Sequence, residues 1–282
     1  MSLFAERLTV LDNPRADRVR RVSGLVGRSA RSRSGLMLVE GPQAGRELVA
    51  HRADAVRDVY VREDAWETHA DVVDVARRAT RWVHPVTAEV SAALSGDSQG
   101  ICAVASLDAL SRELPEPSVG ETIVVLAQGR DPGNVGTIIR TADAFGAVGV
   151  IAVAGTVDAS SPKVVRASVG SVFHIPVCVV PSFEEARALV HGRGAALLGT
   201  SGGAGSVDLA QMFVQGVSAR SRLSQSHAWV FGNEAKGLSG DDMRLCDALV
   251  SIPMSGDAES LNVASAAATC LFASQTVRGL HS

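Results

Sequence analysis

Short apolar runs recur along the chain, and their character changes partway. In the first hundred or so residues, Leu36-Met37-Leu38-Val39, Val56 to Val61 and Ile101 to Ala105 read as strands. Between them, helical spacing covers residues 42–50 and 65–79, the latter with Val72, Val73, Val75 and Ala76 inward. Further on, Thr122–Ala127, Val148–Val153, Ile175–Val180, Ala195–Leu198, Ala228–Phe231 and Leu249–Ile252 are more uniformly apolar. Helical or glycine-rich stretches separate them, the pattern of strands buried on both faces of a parallel sheet. Pro115, Pro117 and Gly120 mark an extended linker where the pattern changes. The chain thus divides into a small α/β domain over 1–112, a linker over 113–121 and a parallel-sheet α/β domain over 122–282. Residues 215–227 are polar and read as an exposed loop.

Composition narrows the class. With 46% hydrophobic and 20% charged residues, the chain is globular and not disordered. No apolar run approaches the roughly 20 residues needed to span a bilayer. Glu6 and Arg7 precede any sustained apolar stretch, so no secretory signal is expected. Cys102, Cys178, Cys246 and Cys270 are far apart and form no Cys-x-x-Cys pair. They read as small buried apolar residues in a reducing, cytoplasmic setting. Charge is uneven: residues 1–34 carry eight arginines against Glu6, Asp12 and Asp17, a net +5 on a chain of −3. That asymmetry fits either an anion-binding arm or a solvated basic face. Lys163 and Lys236 are the only lysines, so arginine is also simply the cation this chain favours.

In an open parallel sheet the ligand site lies at the carboxyl ends of the strands. After the first run of the second half comes Gln128-Gly129-Arg130-Asp131-Pro132-Gly133-Asn134-Val135-Gly136. A helix then follows with Val135, Ile138, Ile139, Ala142 and Phe145 as its buried stripe. Arg140 falls nearly opposite that stripe, with Thr137 beside it, and so faces solvent or ligand. Asn134 stands where the helix begins, as an N-cap or a ligand contact. Lys163 and Arg166, three apart on a helical turn, are placed to hold a phosphate or to be solvated. Gly232-Asn233-Glu234-Ala235-Lys236-Gly237-Leu238 follows another run, and Ile252-Pro253-Met254 a further one. Ser260-Leu261-Asn262-Val263 opens a final helix, with Ser260 expected as its cap. That helix holds Ala264, Ala266, Ala267 and Ala268, either to let a neighbouring backbone approach or as plain helix formers. Gly199-Thr200-Ser201-Gly202-Gly203 fits a hydrolase Gly-x-Ser-x-Gly, but Ala204-Gly205-Ser206 reads as loop where a nucleophile elbow needs a helix. No carboxylate or histidine cluster calls for a metal.

These motifs, in order, resemble those of the SpoU/TrmH class of SPOUT RNA methyltransferases. The matching stretches are Asp131–Gly136 with Arg140-Thr141-Ala142, then Gly232–Leu238, then Ile252-Pro253-Met254 with Ser260–Val263. Lys163 to Gly170 matches a further family motif, and the first domain resembles, more weakly, the substrate-binding domain of ribosomal RNA members. The resemblance implies S-adenosylmethionine-dependent methylation of a ribose 2′-hydroxyl in structured RNA. 23S ribosomal RNA is favoured; transfer RNA and a non-catalytic RNA-binding role are the alternatives. It further implies a deep trefoil knot in the C-terminal domain, an exception to the rule against knotted chains, and a homodimer with the site near its interface. By motif position Thr200, Gly232, Ile252, Met254 and Leu261 would line the methyl-donor pocket. Asn134, Arg140, Glu234, Ser260 and Asn262 would carry or shape the reaction site. Arg18, Arg20 and Arg21, with Lys163 and Arg166, would grip RNA phosphates.

Overall fold

The arginine-rich stretch over 17–34 folds into helices. Helices α1 (Asp17–Ser23) and α2 (Arg28–Ser34) flank a 3-10 turn, and Val19, Val22 and Leu25 pack with Leu38, Tyr60, Val90 and Val104. The computed structural model describes residues 9–203, 205–217 and 221–280. Glu6 and Arg7, on which the expected lack of a secretory signal rested, lie outside them. Arg31 is only 3% exposed; it donates to the carbonyls of Leu25 and Val26 and to Ser160, and pairs with Asp158 at 2.9 Å. A guanidinium so fully partnered supports the fold, so Arg31 is not among the cations of this stretch available to an anion.

β1 (Leu36–Glu40), α3 (Pro42–His51), β2 (Val56–Arg62), α4 (Ala70–Ala79), β3 (Val83–Val86), α5 (Ala88–Leu94) and β4 (Ile101–Ser106) complete this first compact unit. Its sheet runs β1-β4-β2-β3, antiparallel except for the β2–β3 pair. The helix expected over 65–79 starts later, at Ala70, behind a 3-10 turn over Glu63–Ala65.

The second unit begins with β5 (Thr122–Leu126), α6 (Pro132–Ala144) and β6 (Val150–Val153). The chain then contributes residues 158–174, with α7 (Pro162–Ala167), to the first unit. It returns as β7 (Val177–Val180), α8 (Phe183–Gly192), β8 (Ala196–Thr200), β9 (Val207–Asp208) and α9 (Leu209–Val217). β10 (His227–Phe231), α10 (Gly240–Leu245), β11 (Ala248–Ser251) and α11 (Val263–Gly279) follow. All pairs in the seven-stranded sheet β7-β6-β5-β10-β8-β11-β9 are parallel.

β5 and β10 are buried at every position because helices cover both faces. Side chains alternate across a strand. Ile123, Val125, Ala228 and Val230 therefore meet Phe183, Ala186 and Val190 of α8. The alternate residues His227 and Trp229 reach Ser274 of α11, which also packs on α6. At the sheet's bottom edge Arg193 grips Glu121 through two bonds of 2.7 Å, and both side chains are buried. The stretch 215–227 is not an exposed loop throughout: α9 extends into it, and a turn over Arg222–Ser224 buries Leu223. Residues 218–220 lie outside the described residues. Ser201 follows β8 in a loop, and the next helix waits until Leu209, after β9, so no nucleophile elbow forms. Among the described residues, no helix is long and apolar enough to cross a membrane.

Candidate active site

Pro132 fixes where α6 begins. Its ring suits the first helical position, where no amide hydrogen is needed, so the preceding residue must cap. Asp131 Oδ1 accepts from the Asn134 amide at 2.8 Å; Asn134 is not the cap. The predicted stripe of Val135, Ile138, Ile139 and Ala142 is buried, Phe145 is half-buried, and Thr137 and Arg140 are exposed.

Glu234, beyond β10, reaches across to this loop. Its Oε1 accepts from the amides of Arg130 at 3.2 Å and Asp131 at 3.1 Å. The carboxylate thus fastens the entrance of α6 to the turn after β10. That turn closes on itself through paired bonds between the Asn233 and Gly237 backbones, while Asn233 Oδ1 accepts from Ala235 and Lys236. Only glycine fits at 232: a Cβ there would lie 2.3 Å from the Gly237 carbonyl carbon and 2.4 Å from the Leu238 nitrogen.

The cap of α11 is Asn262, and the expectation for Ser260 is corrected. Asn262 Oδ1 accepts from the amides of Ala264 and Ser265. Its Nδ2 donates to Asn134 Oδ1 at 3.1 Å, joining residues 128 apart in sequence. One side chain therefore starts α11 and ties it to the first turn of α6. Ala264 and Ala267 are buried and Ala266 lines the site, so the small residues serve close packing as well as helix formation.

A cleft of about 380 Å³ opens between these turns, within the range of small-molecule sites. All five residues expected to hold the methyl donor line it: Thr200, Gly232, Ile252, Met254 and Leu261. Glu234 and Ser260 line it too, with Lys236 and Leu238 of the 232–238 motif and Glu259, to which sequence reasoning assigned no role. Thr200 is fixed by its hydroxyl, which donates to the Val230 carbonyl at 2.8 Å. Met254 and Leu261 are 44% and 42% exposed, large apolar surfaces left open where a flat aromatic ligand would cover them.

A family model described as the SpoU rRNA Methylase family matches residues 121–272. The chain belongs to this family. It is 32% identical over 231 residues to a 23S rRNA (guanosine-2'-O-)-methyltransferase RlmB of Bordetella pertussis, covering 79% of this chain and 90% of that one. A 23S rRNA (uridine(2479)-2'-O)-methyltransferase of Streptomyces viridochromogenes is 42% identical over 146 residues, 50% of this chain and 47% of that one. Among solved structures, the SpoU methyltransferase AviRb of Streptomyces viridochromogenes in complex with AdoMet superposes with a TM-score of 0.77. Its identity is 30%, over 93% of this chain and 99% of that one.

Not every expected residue of this SpoU member gathers at the cleft. Asn134, Asn262 and Arg140 do not line it; Asn134 and Asn262 adjoin it through Leu261 and Val263, and Arg140 stands on the outer face of α6. Lys163 is exposed on α7, but Arg166 is held by Glu40 at 2.6 Å and Asp97 at 2.8 Å, so two carboxylates already occupy the place expected for a phosphate. Arg18 is likewise engaged, with Asp58 at 2.6 Å and the Tyr60 hydroxyl at 3.1 Å. Burial works against the Asp58 charge, but the hydrogen bond with His84 and the Arg18 cation outweigh it and hold the carboxyl below its ordinary value. Arg20 and Arg21 are exposed and line a cavity of about 650 Å³ together with Arg33.

Proposed function

We propose that this chain transfers a methyl group from S-adenosylmethionine to a ribose 2′-hydroxyl of 23S ribosomal RNA. The observation that carries the reading is the convergence of Thr200, Gly232, Ile252, Met254 and Leu261 on one cleft, at the carboxyl ends of β8, β10 and β11. The donor set fits: exposed apolar side chains for the adenine faces, and backbone groups of the 232–238 and 252–254 turns for its edges. When bound, S-adenosylmethionine supplies a methyl group activated by a sulfonium. The protein's own task is to hold a 2′-oxygen in line with that methyl, and positioning supplies a large share of such a rate.

Asn134 and Asn262, tied to each other, orient the ribose. Arg140 offers a planar fork of donors that stabilises the developing alkoxide and the neighbouring phosphate. A guanidinium seldom gives up its proton, so the hydroxyl proton leaves to phosphate or water. Ser260 shapes the cleft wall, and Glu234 is a positioning residue that fixes the α6 entrance. Arg20, Arg21 and Lys163 are the exposed cations that take RNA phosphates.

The family resemblance supports two further features. The C-terminal segment is threaded as a trefoil knot, in keeping with β10 lying between β5 and β8 while the chain returns past β8 to β11. Pulled from both ends, a knotted chain stays shorter when unfolded than about 3.5 Å per residue allows, and an unthreaded one reaches it. The chain pairs with a second copy, which covers the apolar patch of Phe145 and the 54% exposed Phe272, whose rings meet edge to face at 6.1 Å. Sedimentation at micromolar concentration distinguishes dimer from monomer.

The decisive experiment maps ribose methylation in RNA from cells with and without the protein. One position in 23S RNA should lose its methyl group and regain it when the purified protein and S-adenosylmethionine are added. Loss at a transfer RNA position would move the substrate. No saturable heat on titration with S-adenosylmethionine would leave only RNA binding.

A further inference from the structure

Helix α3 carries Glu47 and His51 one turn apart, so both side chains emerge on one face. His174 reaches the same place from 127 residues away, just after the 3-10 turn Ser171–Phe173. Gly170 makes that approach possible. Its φ is +91°, and a Cβ there would lie 2.5 Å from the Cβ of Glu47, so the turn rests directly on the helix.

The result is three metal-type donors converging on one point. Glu47 Oε2 lies 3.5 Å from His51 Nε2 and 3.1 Å from His174 Nε2, and one donor atom from each residue falls within 4.8 Å of the others. A zinc ion with bonds of about 2.0–2.1 Å in tetrahedral array sets its ligands about 3.3 Å apart. The two measured edges bracket that value. The other carboxylate oxygen, Oε1, accepts from Gln43 Nε2 at 3.1 Å, one turn earlier on α3, and so turns Oε2 toward both imidazoles. An outer partner of this kind orients a metal-binding carboxylate. Two imidazoles and one carboxylate suit zinc and its borderline neighbours, not calcium or magnesium, which prefer oxygen.

We propose that Glu47, His51 and His174 bind a zinc-class divalent ion that clips the turn after α7 to α3. The three ligands leave the fourth position to water, and the ion acts as a staple within the first unit. Periodicity along the chain gave no sign of it, because the third ligand is so distant in sequence.

The test is equilibrium dialysis of the full-length, metal-stripped protein against Zn²⁺, and against Co²⁺ read by its visible absorption. One equivalent should bind, and His51→Ala and His174→Ala should each lose it. His51 is half exposed, so its variant keeps the fold, which circular dichroism checks. Gln43→Ala should keep the stoichiometry and bind about ten- to a hundredfold more weakly. No uptake by the wild-type protein overturns the proposal. So does one equivalent retained with unchanged affinity in both His51→Ala and His174→Ala, which would place the metal at other residues.

Discussion

Mild acid should loosen the methyltransferase unit through one side chain. His227 in β10 is fully buried. Its Nδ1 lies 2.8 Å from the Gln225 carbonyl, which can only accept, so that nitrogen carries the proton. Nε2 lies 2.7 Å from the Ser274 hydroxyl, whose oxygen accepts from Trp229 Nε1 at 2.8 Å and whose hydrogen also has the Cys270 carbonyl at 3.2 Å as an acceptor. Burial pushes the imidazole down from 6.5 to about 4; the Gln225 carbonyl opposes this and the Arg278 charge adds to it. Between those values the unfolded chain holds a proton that the folded one refuses, so stability rises with pH. The contribution is complete above about pH 6.5 and shrinks as pH falls, with nothing further lost below about 4. At about 1.4 kcal/mol per pH unit the ceiling is about 3 kcal/mol, of which about 2 kcal/mol is gone by pH 5. For a unit of this size that lowers the melting temperature by about 4–8 °C. With Trp66 and Trp82 changed to Phe, Trp229 fluorescence reports this unit alone, and urea unfolding is compared at pH 7.5 and pH 5. His227→Gln supplies a ring-free background in which carboxylates held low, such as Glu121 and Asp247, act equally and cancel. The wild-type protein should lose about 2 kcal/mol more than the variant over that interval. Parallel losses would refute a neutral His227.

Five variants test the remaining assignments. Gly232→Ala forces a Cβ into the backbone of its own turn; an overpacking cost of about 1–3 kcal/mol weakens S-adenosylmethionine binding by about 5- to 150-fold, measured by calorimetry. Asn262→Asp keeps the cap of α11 but has no hydrogen to donate to Asn134, so thermal stability should hold while turnover falls. Asn262→Ala loses both, with about 1 kcal/mol of stability for the cap. Arg140→Lys keeps the charge without the fork and should lower kcat about 10²- to 10³-fold with cofactor affinity unchanged; near-normal turnover would dismiss the fork. Arg20→Ala with Arg21→Ala should reduce the slope of log affinity for RNA against log salt by about 1.4 to 1.8, read by filter binding at several salt concentrations.

The sheet of the second unit was legible because burial on both faces demands unbroken apolar runs, and Thr122–Leu126 and His227–Phe231 supply them. β3 was not, since Val-His-Pro-Val is short and carries a proline where only an edge strand tolerates one. The helices of the basic segment were hidden for a different reason. Its arginines dominate the composition, yet Val19, Val22 and Leu25, three apart, form the face that packs, and a long cation such as Arg31 can be buried once partners surround it. The candidate site shows the limit most clearly. Asp131 and Asn134, like Ser260 and Asn262, are rival caps within one helical turn, and only Pro132 offered a local means of choosing, for the first pair.

What no local rule reveals is that the losing cap of one helix bonds to the winning cap of the other. Residues chosen for their chemistry therefore also hold the frame: Glu234 binds two backbone amides of the α6 entrance, and Asn262 starts α11. Substituting either with alanine would lower activity whether or not it touches the RNA. A chemical role can be argued only from exchanges that preserve the frame, which is why Asn262→Asp, with its cap intact and its donor gone, is more informative than any truncation at that position.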